Sequence, residues 1–376
     1  PGIVAAIAAV AVFATTLGIS YPLLALVLDR AGQSETFIGL NAAMAPLGIL
    51  ISAPLIPWAA AHVNPVKLAI AATIATGVLM ASFAVITDPY WWFALRFGLG
   101  ASINVLFVLS ETWINQLAPT HKRGRIMGTY VTVISIGFAA GPLLVALAGT
   151  RGIAPFAIAF AGSMLAAPIL HLARNHLPAF PPGGTGGLLV FAAAAPVLLL
   201  LAGTVALFDQ TTLSLVPLYA LRTGFDETAA AIATGTLIAG NVVSQIPIGW
   251  AADRYSRRLM AAALVVTVVV CACLLPLLAG SYLFWPLLFV WGGTGYGIYT
   301  VALAELGARY SGAMLLAGNA AFSVMWGIGG LIGPPSAGAM MDLAGPHGLP
   351  LTLGLIFAAL AILIAVRPLV PKAARR

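Results

Sequence analysis

Charge is scarce in this sequence. Only 7% of its 376 residues are Asp, Glu, Lys or Arg, where a soluble domain carries about 25%. So few charges cannot cover a water-facing surface, which excludes a soluble globular chain. Cysteine is nearly absent. Cys271 and Cys273 lie two residues apart in one apolar run. On a helix they point to different sides, which argues against a disulfide or a metal site. The histidines, His62, His121, His171, His176 and His347, fall at span ends or in loops without metal-ligand spacing, and no cofactor is expected. No G-x-x-x-x-G-K-[ST] segment occurs, which argues against ATP-driven transport by this chain. GGTGYG (Gly292–Gly297) has the glycines of a phosphate loop but sits inside an apolar run without a preceding strand. Close helix packing is its better reading. The net charge of +7 is scattered through short loops, so nucleic acid is not an expected partner.

What is abundant is apolar. The chain is 61% hydrophobic with a mean hydropathy of +1.05. The runs are continuous and rich in Ala, Leu, Val and Ile, without strand alternation, so they read as membrane helices and not barrel strands. Twelve spans are expected, at about 3–28, 36–60, 66–87, 90–117, 125–149, 152–176, 188–221, 227–251, 257–279, 282–307, 314–341 and 349–369. The first run is long enough to span, so no cleavable signal peptide is expected.

Lys and Arg set the orientation. With the N-terminus inside, cytoplasmic segments hold Lys67, Lys122, Arg123, Arg125, Arg174, Arg254, Arg257, Arg258, Arg309, Arg367, Lys372, Arg375 and Arg376. Outer loops hold only Arg30, Arg151 and Arg222. Both termini are therefore expected in the cytoplasm of a cell with this multi-pass protein in its inner (plasma) membrane. The acids Asp29, Glu35, Asp88, Asp226, Glu227 and Asp342 collect at outer span ends and read as solvated loop charge.

The chain repeats itself. YPLLAL (Tyr21–Leu26) matches VPLYAL (Val216–Leu221), PWAAAHV (Pro57–Val63) matches GWAADRY (Gly249–Tyr255), and GFAAGP (Gly137–Pro142) matches GGLIGP (Gly329–Pro334). The matches run in one order. PAFPPGGTGG (Pro178–Gly187) lies between the halves and reads as a flexible linker. The expected organisation is a six-helix bundle over 1–177, a cytoplasmic linker over 178–188 and a second six-helix bundle over 189–376. Parallel repeats of this kind are a transporter architecture, with the solute site near the midplane.

These residues resemble the major facilitator superfamily. GWAADRYSRR (Gly249–Arg258) resembles its loop signature G-x-x-x-D-R-x-x-R-R. The first copy, PWAAAHVNPVK, lacks both the acid and the arginines. RFGLGAS (Arg96–Ser102) resembles the family's R-x-x-x-G motif, and GFAAGP and GGLIGP resemble the G-x-x-x-G-P motif of its antiporters. In both copies the glycine pair that should follow is incomplete. SETWINQLAP followed by RGRIMG is similar to a little-characterised bacterial branch. The resemblance implies an all-α membrane fold of twelve helices, alternating access, and gating roles for Gly249, Asp253, Arg254, Gly137, Gly141, Pro142, Gly333 and Pro334. For Arg257 and Arg258, ordinary positive-inside loop charge is the competing reading.

Four ionisable residues remain inside spans: Arg96, Glu111, Asp209 and Glu305. All fall on spans one, four, seven or ten, which line the central cavity in that family. Polar groups inside membranes are functional candidates by default. Arg96, Gly100, Asn104, Glu111 and Asn115 share one side of span four, and Arg96 lies about 22 Å from Glu111 along the helix. Arg96 and Asp209 both fall in outer halves, so they pair, share an anionic solute, or Arg96 only caps carbonyls. Glu111 reads as a proton carrier, a binder of substrate cations or a structural hydrogen-bond partner. Glu305 occupies the matching place in the second half, with an i,i+4 pair to Arg309 as the competing reading. Proton coupling is thus assigned to Glu111, Asp209 and Glu305. Solute binding is assigned to Arg96, Asn104, Asn115, Thr16, Tyr21, Asn41, Gln210, Asn241, Gln245, Tyr296, Tyr299, Asn319 and Trp326, with helix–helix hydrogen bonding or packing as the competing reading for each.

The sequence therefore points to a monomeric secondary transporter, with protons, lipid and a small molecule as partners and no enzymatic constellation. Proton-coupled efflux of an amphipathic compound is the leading expectation. Proton-coupled import of a small organic anion, with Arg96 as the anion site, is the alternative. A membrane-embedded enzyme, receptor or scaffold is the alternative from another class.

Overall fold

The computed structural model describes residues 2–117, 123–178, 188–310, 312–367 and 369. They form α-helices and no strand. The helices are α1 (Gly2–Arg30), α2 (Glu35–Ser52), α3 (Leu55–His62), α4 (Pro65–Val85), α5 (Trp91–Leu117), α6 (Arg123–Ala148) and α7 (Ala154–Leu172). They continue as α8 (Leu188–Ala194), α9 (Pro196–Arg222), α10 (Glu227–Arg254), α11 (Arg257–Leu278), α12 (Phe284–Arg309), α13 (Gly312–Ala344) and α14 (Gly348–Val366). Among the described residues, ten helices are long and apolar enough to cross a membrane: α1, α2, α4, α5, α7, α9, α10, α11, α12 and α14. Each expected span has a helix at its place, but the second and seventh are each broken in two.

Proline explains both breaks. Pro54 separates α2 from α3; its ring removes a donor and crowds the turn before it. Pro196 opens α9 and drives Ala195 to φ −139° and ψ 54°, outside the helical region. Other prolines, such as Pro22, Pro217 and Pro247, stay inside unbroken helices, where membrane neighbours re-satisfy the freed backbone.

The chain divides into two compact units, Pro1–Ala31 with Met44–Gly183, and Gly32–Ala43 with Gly184–Arg376. The expected linker falls almost wholly outside the described residues. The start of α2 groups with the second unit. There Asp342 of α13 caps it, Oδ1 accepting from the Glu35 N–H at 2.9 Å and Oδ2 from the Thr36 N–H at 2.8 Å. Arg222 pairs with Glu35 at 3.1 Å. Asp226 caps α10 by accepting from the Ala229 N–H at 2.7 Å. Glu35, Asp226 and Asp342 are thus caps and pair members and not free loop charge, because helix N-termini present orphan donors.

In the first unit α1 packs on α6, α5 and α7, and α4 on α5 and α7. In the second, α9 packs on α13, α10 and α12, and α11 on α12 and α14. The matched GFAAGP and GGLIGP segments do the same work in each. A methyl at Gly141 would overlap the Gly18 backbone, so α6 meets α1 at backbone contact. A methyl at Gly329 would overlap the Gly203 carbonyl, and one at Gly333 the Thr211 hydroxyl, so α13 meets α9 likewise. Small residues at such seams are how membrane helices approach closely. Cys271 is buried and Cys273 exposed, on different sides of α11.

Gly141→Ala is expected to destabilise the protein by about 1–3 kcal/mol through overpacking, read as a lower melting temperature in detergent. Gly162, in α7, has open space around it. Gly162→Ala is expected to leave the melting temperature unchanged or raise it, because alanine favours a helix interior. Equal losses at both positions would contradict the seam.

Candidate functional site

In the first unit, Arg96 of α5 is 1% exposed. Its guanidinium carbon stands 4.7 Å from the centre of the Tyr21 ring on α1. Its Nε and Nη2 are buried and have no hydrogen-bond partner among the described residues. Thr16 is also buried on α1. Asn104, two turns further along α5, donates to the Ile49 carbonyl at 3.1 Å and to Ser52 Oγ at 2.9 Å. It therefore ties α5 to α2, which is the helix–helix reading. Glu111 is half-buried and has no hydrogen bond or ion pair among the described residues. Ser110 beside it bonds Tyr130 at 3.1 Å. The Asn115 side chain lies outside what the structure describes.

In the second unit, Asp209 of α9 is 7% exposed. Tyr296 of α12 donates its hydroxyl to Oδ1 at 2.6 Å, and Gln210 donates its amide to Oδ2 at 2.8 Å. Both donors are neutral. Phe208 packs edge-on to Tyr296 with ring centres 5.7 Å apart, shielding the pair from water. Gln245 donates to Asn241 and accepts from Thr300, so these amides join α10 to α12. Tyr299 meets Trp326 edge-on at 5.2 Å and Phe322 at 5.8 Å, an aromatic contact between α12 and α13. Asn41 is fully buried, and both atoms of its amide lack a partner among the described residues. The side chains of Asn319 and Asp253 lie outside what the structure describes.

Glu305 is placed differently from Glu111. Its carboxylate sits between Arg257 at 3.3 Å and Arg309 at 2.9 Å. Arg258, next in the chain, donates to the Ile364 carbonyl at 3.0 and 2.8 Å and to that of Ala365 at 2.7 Å, closing the C-terminus of α14. Arg254 is exposed and lies over the Trp250 ring at 4.3 Å on its own helix. Gly249 is half-buried with only a distant neighbour, Thr300, so no close packing demands a glycine there. Gly137 and Gly141 in α6 and Gly333 in α13 stand at the seams, and the Pro334 carbonyl of α13 faces Gly39 of α2. Among the described residues no cluster of His, Cys, Asp or Glu could hold a metal ion.

Two bundles of apolar helices, each with a glycine seam from the same repeated motif, match one family. The profile of the Major Facilitator Superfamily fits residues 6–304 and 198–376. The chain belongs to the major facilitator superfamily. It is thus a multi-pass membrane transporter of small molecules and not an enzyme. It is 24% identical over 333 residues to the uncharacterized MFS-type transporter YfkF of Bacillus subtilis, covering 86% of this chain and 85% of that one. It is 27% identical over 279 residues to the uncharacterized MFS-type transporter Ent638_1421 of Enterobacter sp., covering 67% and 66%. Among solved structures it resembles a bacterial homolog of the human lysosomal transporter Spinster, with a TM-score of 0.84 at 15% identity over 100% and 97% of the chains. It also resembles the D-xylose–proton symporter, with a TM-score of 0.77 at 16% identity over 100% and 98%. At such identities the likeness is one of fold.

Sequence reasoning named Arg96, Asp209 and Tyr296 without finding which groups they touch. It missed Ser52 and Thr300, the hydroxyls that engage Asn104 and Gln245. Their only sequence signal was position on helices opposite those amides. Glu305→Gln leaves Arg257 and Arg309 facing an uncharged amide. We expect a loss of about 1–3 kcal/mol, seen in thermal unfolding. Arg309→Gln should cost less, because Arg257 stays. The reverse order would contradict the bracket.

Proposed function

We propose that this transporter moves a small amphipathic organic solute outward in exchange for protons, by alternating access of its two halves. The observation that carries proton coupling is Asp209. It is a buried carboxylate whose hydrogen bonds come from neutral Tyr296 and Gln210, with no basic side chain bonded to it among the described residues. Charge inside a membrane must be neutralised by something, and a proton that comes and goes with water access does this reversibly. Glu111 supports the same reading from the other half. The repeat places Arg309 one turn after Glu305 but Asn115 one turn after Glu111. Glu305 is assigned to bracing α11 and α12, and Glu111 and Asp209 to proton exchange.

Within the first unit, solute contacts are assigned to Tyr21 on span one and Arg96 on span four; within the second, to Tyr299 on span ten and Trp326 on the flanking span eleven. The glycine seams at Gly137, Gly141 and Gly333, the neighbouring Pro142 and Pro334, and Gly249, Asp253 and Arg254 at the end of α10 are assigned to the rocking motion. The excess of basic residues in alternate loops supports both termini facing the cytoplasm, in a bacterial inner membrane, with the monomer as the working unit.

Asp209→Asn in proteoliposomes tests the coupling. Counterflow exchange of solute should persist, while accumulation against its gradient on an imposed pH gradient should fall by about tenfold or more. Uphill transport at the original level would refute the assignment. Accumulation only when the outward direction is reversed would replace export with import.

A further inference from the structure

We infer that Arg96 and Tyr21 form an anion subsite and that the transported solute carries a carboxylate or a comparable planar anion. This rests on the transport reading above and names the chemical class of its solute. Arg96 offers a planar guanidinium, and it is almost completely buried. Tyr21 covers one face of the guanidinium at 4.7 Å. A cation–π contact acts on that face and supplies no in-plane acceptor. Among the described residues, the two atoms left without partners are Nε and Nη2. They are adjacent on one edge of the guanidinium, and that edge presents two parallel donors. It matches the two oxygens of a carboxylate.

The protein's own intramembrane acids are otherwise engaged or distant. Asp209 accepts from Tyr296 and Gln210. Glu305 is held by Arg257 and Arg309. Glu111 lies about 22 Å further along the helix that carries Arg96. A buried donor pair left unmet costs free energy, and a structure that keeps one retains it for a partner that arrives. The edge is closed to water here, so the anion reaches it through the opening that alternating access provides. Tyr21 then supplies an aromatic surface beside the charge, which suits an amphipathic anion better than a small inorganic one. The claim holds for either direction of transport.

Matched pairs of probes test this on the purified protein: benzoate against benzamide, and octanoate against octanamide. The acids are expected to raise the melting temperature and the amides to leave it nearly unchanged. In Arg96→Gln the acids should act only at concentrations about tenfold higher or more. Arg96→Lys should show an intermediate preference, because lysine keeps the charge and loses the paired edge. It also serves if Arg96→Gln does not fold. Equal shifts by acids and amides, no shift by any probe, or an undiminished acid preference in both variants would overturn the subsite. Counterflow in proteoliposomes separates the two claims. Acids that bind without being exchanged would sink the transport reading alone. Exchange of neutral solutes at wild-type rates by Arg96→Gln would sink the anion subsite alone.

Discussion

The hydrocarbon core of a bilayer offers no water to a polar group, so each one inside must find its partner within the protein or receive it from a visitor. This constraint decides what most polar side chains here do. Thr73, Thr76 and Thr352 return their hydroxyls to the carbonyl one turn back. Asn104 closes onto α2, and Gln245 onto Asn241 and Thr300. Glu305 is neutralised by two arginines. Among the described residues this accounting leaves the open edge of Arg96, the amide of Asn41, the hydroxyls of Thr211, Thr234 and Tyr310, Nε of Arg257, and two carboxylates without a bonded basic partner, Glu111 and Asp209. A transporter needs groups that are satisfied in only part of its cycle, and these are the candidates.

The same constraint explains the seams. Helices in lipid gain little from hiding apolar side chains from other apolar chains, so they associate through close backbone contact. Gly18 against Gly141 in one unit and Gly203 against Gly329 in the other provide it. The motif that resembled an antiporter signature is therefore also a packing device, repeated because the chain is repeated. Duplication did not keep the halves alike in charge. The second half retains Arg257 and Arg309 around Glu305, while the first has Asn115 in the place of Arg309 and a loop copy without arginines.

Much of this was legible before any coordinates. Composition fixed the solvent, and the runs located the helices to within a few residues, because length and hydropathy alone determine what spans a bilayer. The breaks at Pro54 and Pro196 were not legible. Most prolines here leave their helices intact, and only local packing decides which do not. Helical phase placed Asn104 on the face of Glu111, yet phase does not tell whether a side chain points into a cavity or onto a neighbour. Ser52 decided that, fifty-two positions away in sequence. Asp209 and Tyr296 stand eighty-seven apart, and no spacing rule joins them. Outer acids looked like loop charge because the sequence does not show which helix end they reach.

The account stands on the claim that buried carboxylates exchange protons as solute moves. The most direct measurement follows the pH inside proteoliposomes of the wild-type protein while a solute found by counterflow runs down its own gradient, with no pH gradient imposed. Coupled exchange predicts that internal pH shifts in step with solute movement and that a protonophore erases the shift without stopping the solute. Solute crossing at full rate with internal pH unchanged would contradict it.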